Sequence, residues 1–228
     1  MTDIADSDEW AELAEVVGVI DAEVAAVRAA LGGTRDVALA ARVQDALLAC
    51  MAIRDLPPQR PTSLRRVGVP GLNRCLDPSC DAPACLGNRL EGHTLILVHT
   101  KTARSRGVMR LTIDEASATA ALLAEHLAWG RAALVGVATC DSLFVGADGA
   151  AISESAFNTR LAACLQRWGL GAHITFTKVR AGRRRAAAQP PPPLTRAPTQ
   201  LRHIVATAVS EWTPEQRQGA HGRQAATA

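Results

Sequence analysis

The sequence predicts an α+β chain that is mainly helical, with one small β-hairpin or sheet. Three observations carry that expectation. Apolar residues recur at three- and four-residue steps over several long stretches. Alanine is abundant while aromatic residues are only 3%, which suits helices packed through small side chains. Two short β-rich runs, TLILVH and VMRLTI, flank a basic loop. A hydrophobic fraction of 48% over 228 residues is enough for a real core, so wholesale disorder is not expected.

The first helix is predicted from about Asp8 to Leu31, where Trp10, Leu13, Val16, Val17, Ile20 and Val24 share one face and Gly32-Gly33 ends the run. Thr34 is the expected N-cap of a second helix reaching Ala52, stopped by Pro57-Pro58. Thr94–His99 and Val108–Ile113 are predicted strands of a hairpin whose loop displays Lys101, Arg104 and Arg106. Asp114 is the expected cap of a helix running to about Trp129, with His126 as a packed or surface histidine. Ser153 is the expected cap of a helix to Trp168, ended by Gly169.

The net charge of +3 hides a strong asymmetry. The first 25 residues carry Asp3, Asp6, Asp8, Glu9, Glu12, Glu15, Asp21 and Glu23 and no base, whereas positive charge accumulates after Arg54. From His173 to Trp212 there is no acid before Glu211, while Lys178, Arg180, Arg183, Arg184, Arg185, Arg196 and Arg202 are all cationic. A block this one-sided repels itself unless a polyanion sits nearby, so nucleic-acid phosphate is the first partner to expect. The acidic N-terminus shows no secretory pattern, and no apolar run approaches the roughly 20 residues that span a bilayer. An intracellular chain, nuclear or cytoplasmic, with no membrane partner is therefore expected.

In such a compartment the six cysteines are thiols or metal ligands rather than disulfides. Cys75, Cys80 and Cys85 are spaced by four residues in a loop rich in Pro, Asp and Gly, with His93 beyond it. Three thiolates and an imidazole make a possible Cys3His zinc site that would brace the loop. The spacers are at the loose end of zinc-ligand spacing and no paired CxxC appears, so reduced loop cysteines are the favoured reading.

The ordered set Arg60, Lys101, Arg180, His203 and Trp212, with His203 23 positions after Arg180 and Trp212 nine positions after that, resembles the catalytic domain of tyrosine recombinases, the phage-integrase family of DNA strand-exchange enzymes. The string LFVGADGAAISESAF is similar to the same point of integrase-like domains. The resemblance implies an integrase-like core in which Arg60 and Arg180 clamp one phosphate and Lys101 protonates the leaving 5′ hydroxyl. His203 would donate a hydrogen bond to that phosphate. Arg65 and Arg66 are the alternatives to Arg60. Thr177 stands where the family commonly carries histidine, and Trp212 stands at the position of the tyrosine nucleophile in a chain that contains no tyrosine. An indole has one N–H donor and no nucleophilic oxygen.

The expected division is an acidic helical segment over 1–38, an integrase-like core over 39–188, and a Pro-rich linker with the His203/Trp212 segment and a disordered tail over 189–228. Pro190–Pro193 and Pro198 exclude a helix interior from the linker. The expected function is DNA binding by a recombinase-like domain, without cleavage by this chain alone and with no cofactor. Self-association, or association with an active recombinase, is the further partner expectation. The alternative is a non-enzymatic, zinc-supported module that binds nucleic acid or another protein.

Overall fold

The computed structural model describes residues 3–57, 61–69, 87–98, 107–136, 140–170, 178–179 and 181–183. They form a mixed, mainly helical α+β structure with a three-stranded antiparallel sheet.

Helix α1 spans Asp3–Ala30. It begins at Asp3, five residues before the predicted start at about Asp8. Leu13, Val16, Val17, Ile20, Val24 and Val27 are all buried, and they join the same core as the helix that follows.

That second helix, α2 (Val37–Ala49), is capped by Asp36 and not by Thr34. The Asp36 carboxylate accepts from the Leu39 N–H at 2.7 Å, two residues further along than the sequence reading placed the cap. The sequence pattern gives this helix an apolar face of Val37, Leu39, Val43, Ala46, Leu47 and Cys50; all of these are buried except Val37, which is exposed in the first turn, and Gln44, Asp45, Leu48 and Ala49 are buried as well. A helix closed on nearly every side is the centre of the helical part of the fold, and the longer helices and both π turns pack around it. Beyond Ala49 the helical path continues to Arg54 as a π turn, Cys50–Arg54, in which the Asp55 N–H returns to the Cys50 carbonyl at 2.9 Å.

A short helix, α3 (Pro61–Leu64), precedes the sheet of β1 (Arg89–Glu91), β2 (Thr94–Leu97) and β3 (Met109–Thr112). The order is β1-β2-β3, and the predicted hairpin is the β2–β3 pair. Register pairs Leu90 with Leu95 and Leu95 with Leu111, so three buried leucines form a row on the core face. Gly92, at φ 55°, makes the tight turn between β1 and β2. Strand β1 was not predicted, because Arg-Leu-Glu offers only one apolar residue and no alternation to read.

The residues around Gly68 knit the sheet to the distal half of the chain. The Gly68 N–H donates to Asn88 O, the Leu90 N–H to Gly68 O, the Val69 N–H to Asp141 O and the Leu143 N–H to Val67 O. Buried Asn88 braces the same junction, donating to Ser63 O at 2.9 Å and accepting from the Val98 N–H at 2.8 Å.

Helix α4 (Ala118–Glu125) is capped by Ser117, whose hydroxyl accepts from the Ala120 N–H at 3.1 Å. Asp114, the expected cap, instead closes a turn onto the Ala116 and Ser117 N–H groups. A second π turn, His126–Gly130, and helix α5 (Arg131–Val135) carry the helical path past Trp129 to Gly136, whose φ of 59° ends it. Helix α6 (Glu154–Arg167) starts at its Ser153 cap and stops at Gly169, φ 94°, as the sequence reading had it. Phe157 of α6 meets Phe144 edge to face, with ring centroids 5.9 Å apart.

Candidate functional site

Of the residues singled out for chemistry, Arg60, Lys101, Arg180, His203 and Trp212 lie outside the described residues, as do Cys75, Cys80 and Cys85. Several of them are flanked by described residues.

The chain leading to Arg60 leaves the central helix through the first π turn. There Arg54 is engaged. Its guanidinium donates to Asp55 at 2.6 and 2.9 Å, to Asp21 at 2.7 Å and to the Thr119 hydroxyl at 2.8 Å, and that hydroxyl bonds Asp55 in turn. Burial works against the Arg54 charge, but the hydrogen bonds to Asp55 and Asp21 and the attraction of nearby negative charge outweigh it and raise its pKa. Four of its five N–H donors are taken in this way, so this arginine belongs to the joint between α1, the π turn and α4. Burial pushes the neighbouring Cys50 thiol up to about 12, so it is an inert packing group.

Lys101 lies in the connection between β2 and β3, whose last register pair is Leu97 with Met109. Arg180 lies between helical residues 178–179 and 181–183. On that segment Val179 is buried, and so is Arg183, only 4% exposed. Arg183 donates to the Leu56 carbonyl at 2.6 Å. The basic run was expected to face phosphate; of its described members Lys178 is exposed, whereas Arg183 turns into the protein beside the end of the first π turn. A buried arginine within Arg-Arg-Arg leaves no sequence signal apart from Val179 four residues earlier.

The alternatives to Arg60 differ from each other. Arg65 lies 4.0 Å from Glu154 and its Nε is buried without a hydrogen-bond partner, whereas Arg66 is exposed.

Of the proposed zinc ligands only His93 is described. It sits at the β1–β2 turn with Nδ1 3.5 Å from a Glu115 carboxylate oxygen. Among the described residues no group of three or more His, Cys, Asp or Glu is arranged to hold a metal ion, and Cys50, Cys140 and Cys164 are free thiols. Among the same residues no helix is long and apolar enough to cross a membrane.

Two further polar centres lie among the described residues; the first was not read from the sequence, and of the second only a packed or surface histidine was. Buried Asp45 of α2 pairs with Arg160 and, at 3.3 Å, with Arg167, fixing α6 to the central helix. Burial and the nearby Asp45 carboxylate push the Cys164 thiol up to about 12. Buried His126 bonds the Leu143 carbonyl through Nε2 at 2.8 Å, and its Nδ1 has no partner. A carbonyl only accepts, so Nε2 carries the proton and Nδ1 presents a bare lone pair. Burial lowers the His126 pKa to about 4, and Arg131 and Arg160 nearby act in the same direction.

No protein-family model, curated protein or solved structure matches the chain.

Proposed function

We propose that the chain is a tyrosine-recombinase-like domain that binds DNA and does not cleave it alone. One observation carries the reading furthest: the Arg183 bond to Leu56 O ties the segment containing Arg180 to the chain that runs into Arg60. Two arginines that act on one phosphate need such a tie, because each must be held within hydrogen-bonding reach of the same oxygens. The element order supports the same reading. Arg60 follows the central helix, Lys101 falls in the connection of the antiparallel β2–β3 pair, and Arg180 comes after α6.

In this reading Arg60 and Arg180 hold the non-bridging oxygens of a DNA phosphate, and Lys101 and His203 add a cation and a hydrogen-bond donor. Transesterification also requires a nucleophile at phosphorus. Trp212 supplies none, and the serine and threonine hydroxyls beside it, Ser210 and Thr213, are far weaker acids than a phenol. What remains is phosphate recognition with little sequence preference. Cleavage at a site bound by this chain falls to a partner recombinase that brings its own tyrosine.

The test has two arms. A labelled duplex titrated at two salt concentrations is expected to bind in the non-specific range, about 10⁻⁴–10⁻⁶ M at physiological salt, and to weaken steeply as salt rises. A nicked suicide substrate is expected to give no adduct that survives denaturant. Salt-independent binding rules out the phosphate-clamp reading, and a covalent adduct formed by this chain alone rules out the loss of cleavage.

A further inference from the structure

We infer that Arg183 is a positioning residue: its buried bond to the Leu56 carbonyl holds the helical residues on either side of Arg180 against the chain entering Arg60. The inference rests on the DNA-binding reading and deepens it, by separating one arginine of the Arg183-Arg184-Arg185 run from phosphate contact.

The local chemistry accounts for the bond. Leu56 is buried and follows the last backbone bond of the π turn, that of the Asp55 N–H to Cys50 O. Carbonyls past a helix end have no intrahelical donor, and a buried one is costly to leave unmade. Arg183 meets that need with a charged donor at 2.6 Å. Val179, four residues earlier and so on the same face of a helical turn, is buried beside the core and makes the contact two-sided. A phosphate could take this guanidinium only by pulling it out of the protein and uncovering Leu56 O. The side chain that reaches Leu56 therefore acts through its neighbours, setting where the segment lies.

Limited trypsin digestion of the free full-length chain reads the tether without DNA. Cleavage after Lys178 and Arg180 is expected to accelerate about tenfold in Arg183→Met, the scale set by losing one charge-assisted hydrogen bond. Arg183→Lys keeps a single-point donor and is expected to accelerate less. That variant carries the test if Arg183→Met does not melt cooperatively. DNA titration across several salt concentrations then reads the positioning role. Arg184→Ala is expected to reduce the slope of log affinity against log salt by about 0.9, the loss of one phosphate contact. Arg180→Met and Arg183→Met are each expected to weaken binding, with the double variant no weaker than either, because both remove the same contact. Additive losses would make Arg183 an independent phosphate ligand and overturn the positioning role. Unchanged digestion in both Arg183 variants overturns the tether itself. Accelerated digestion in a chain whose wild type binds no duplex keeps the tether and overturns the DNA reading.

Discussion

Among the described residues two helices widen into π turns, Cys50–Arg54 after α2 and His126–Gly130 after α4, and they treat their polar side chains in opposite ways. At the first, every donor-rich group has a partner: Arg54 is shared among Asp55, Asp21 and Thr119, at a joint that Asp21 leaves partly open to solvent. At the second, a histidine as buried as any leucine of the core satisfies one nitrogen on Leu143 O and leaves the other bare. Such a bulge displaces one turn of the helix, and what fills the displaced turn decides its sensitivity. The Arg54 joint is indifferent to pH near neutrality, while the His126 turn is stable only as long as its imidazole stays neutral.

The largest expected effect tests that contrast directly. In the unfolded chain the His126 imidazole takes a proton at its ordinary value of about 6.5, and in the folded chain only near 4. Between those values the unfolded state binds the extra proton, so stability is full above about pH 6.5 and is lost as pH falls toward 4. The loss is about 3 kcal/mol at its greatest. His126→Gln keeps an N–H donor for Leu143 O and cannot titrate. Denaturant unfolding at stepped pH is expected to show the wild type losing about 3 kcal/mol more than this variant over that window. Parallel curves would show that solvent reaches Nδ1.

The Arg54 joint gives the next effect. Arg54→Met preserves the stem and removes the guanidinium, leaving Asp55 bonded to Thr119 alone and Asp21 to water. A fully buried pair broken this way loses about 3–5 kcal/mol. Asp21 and Asp55 are partly exposed, so the expected cost is nearer 2 kcal/mol, unchanged between pH 6 and 8. Chemical denaturation at both pH values measures it. A loss below about 0.5 kcal/mol would mean the network is a solvated surface pair and the contrast between the two turns is false.

Legibility in the sequence follows the same divide. The stripe of α1, the cap of α6 and the β2–β3 hairpin were readable, because each depends on a local period or on one residue at a fixed offset. The caps at Asp36 and Ser117 were misplaced by two or three residues, since several Ser, Thr and Asp residues compete at each start and only the backbone path chooses among them. The π turns, buried Asp45, the burial of Arg183 and the partner of His126 left no local trace. Each is fixed by a partner far along the chain: Arg160 and Arg167 for Asp45, Leu56 for Arg183, and Leu143 for His126. For the candidate site, the sequence named residues and an order, and the structure added the tie between two of its segments.

The smallest effect has the opposite sign and probes the His126 turn from the other side. Gly130 closes that turn with ordinary helical geometry on both flanks, so nothing in its backbone demands glycine. A methyl group there would meet His126 Nδ1 at 3.5 Å, the Glu125 carbonyl at 3.7 Å and the Ala40 Cα at 3.9 Å, all ordinary van der Waals separations. Because Nδ1 has no hydrogen-bond partner, the methyl displaces none. Gly130→Ala also restricts the unfolded chain, which by itself stabilises by about 0.4–1 kcal/mol. The expected result is a rise in thermal midpoint of a few degrees, with the acid loss of stability retained. A fall in the midpoint would show that the space beside Nδ1 is held by something the methyl expels, such as a bound water. The imidazole would then be satisfied after all, and the two π turns would no longer differ in kind.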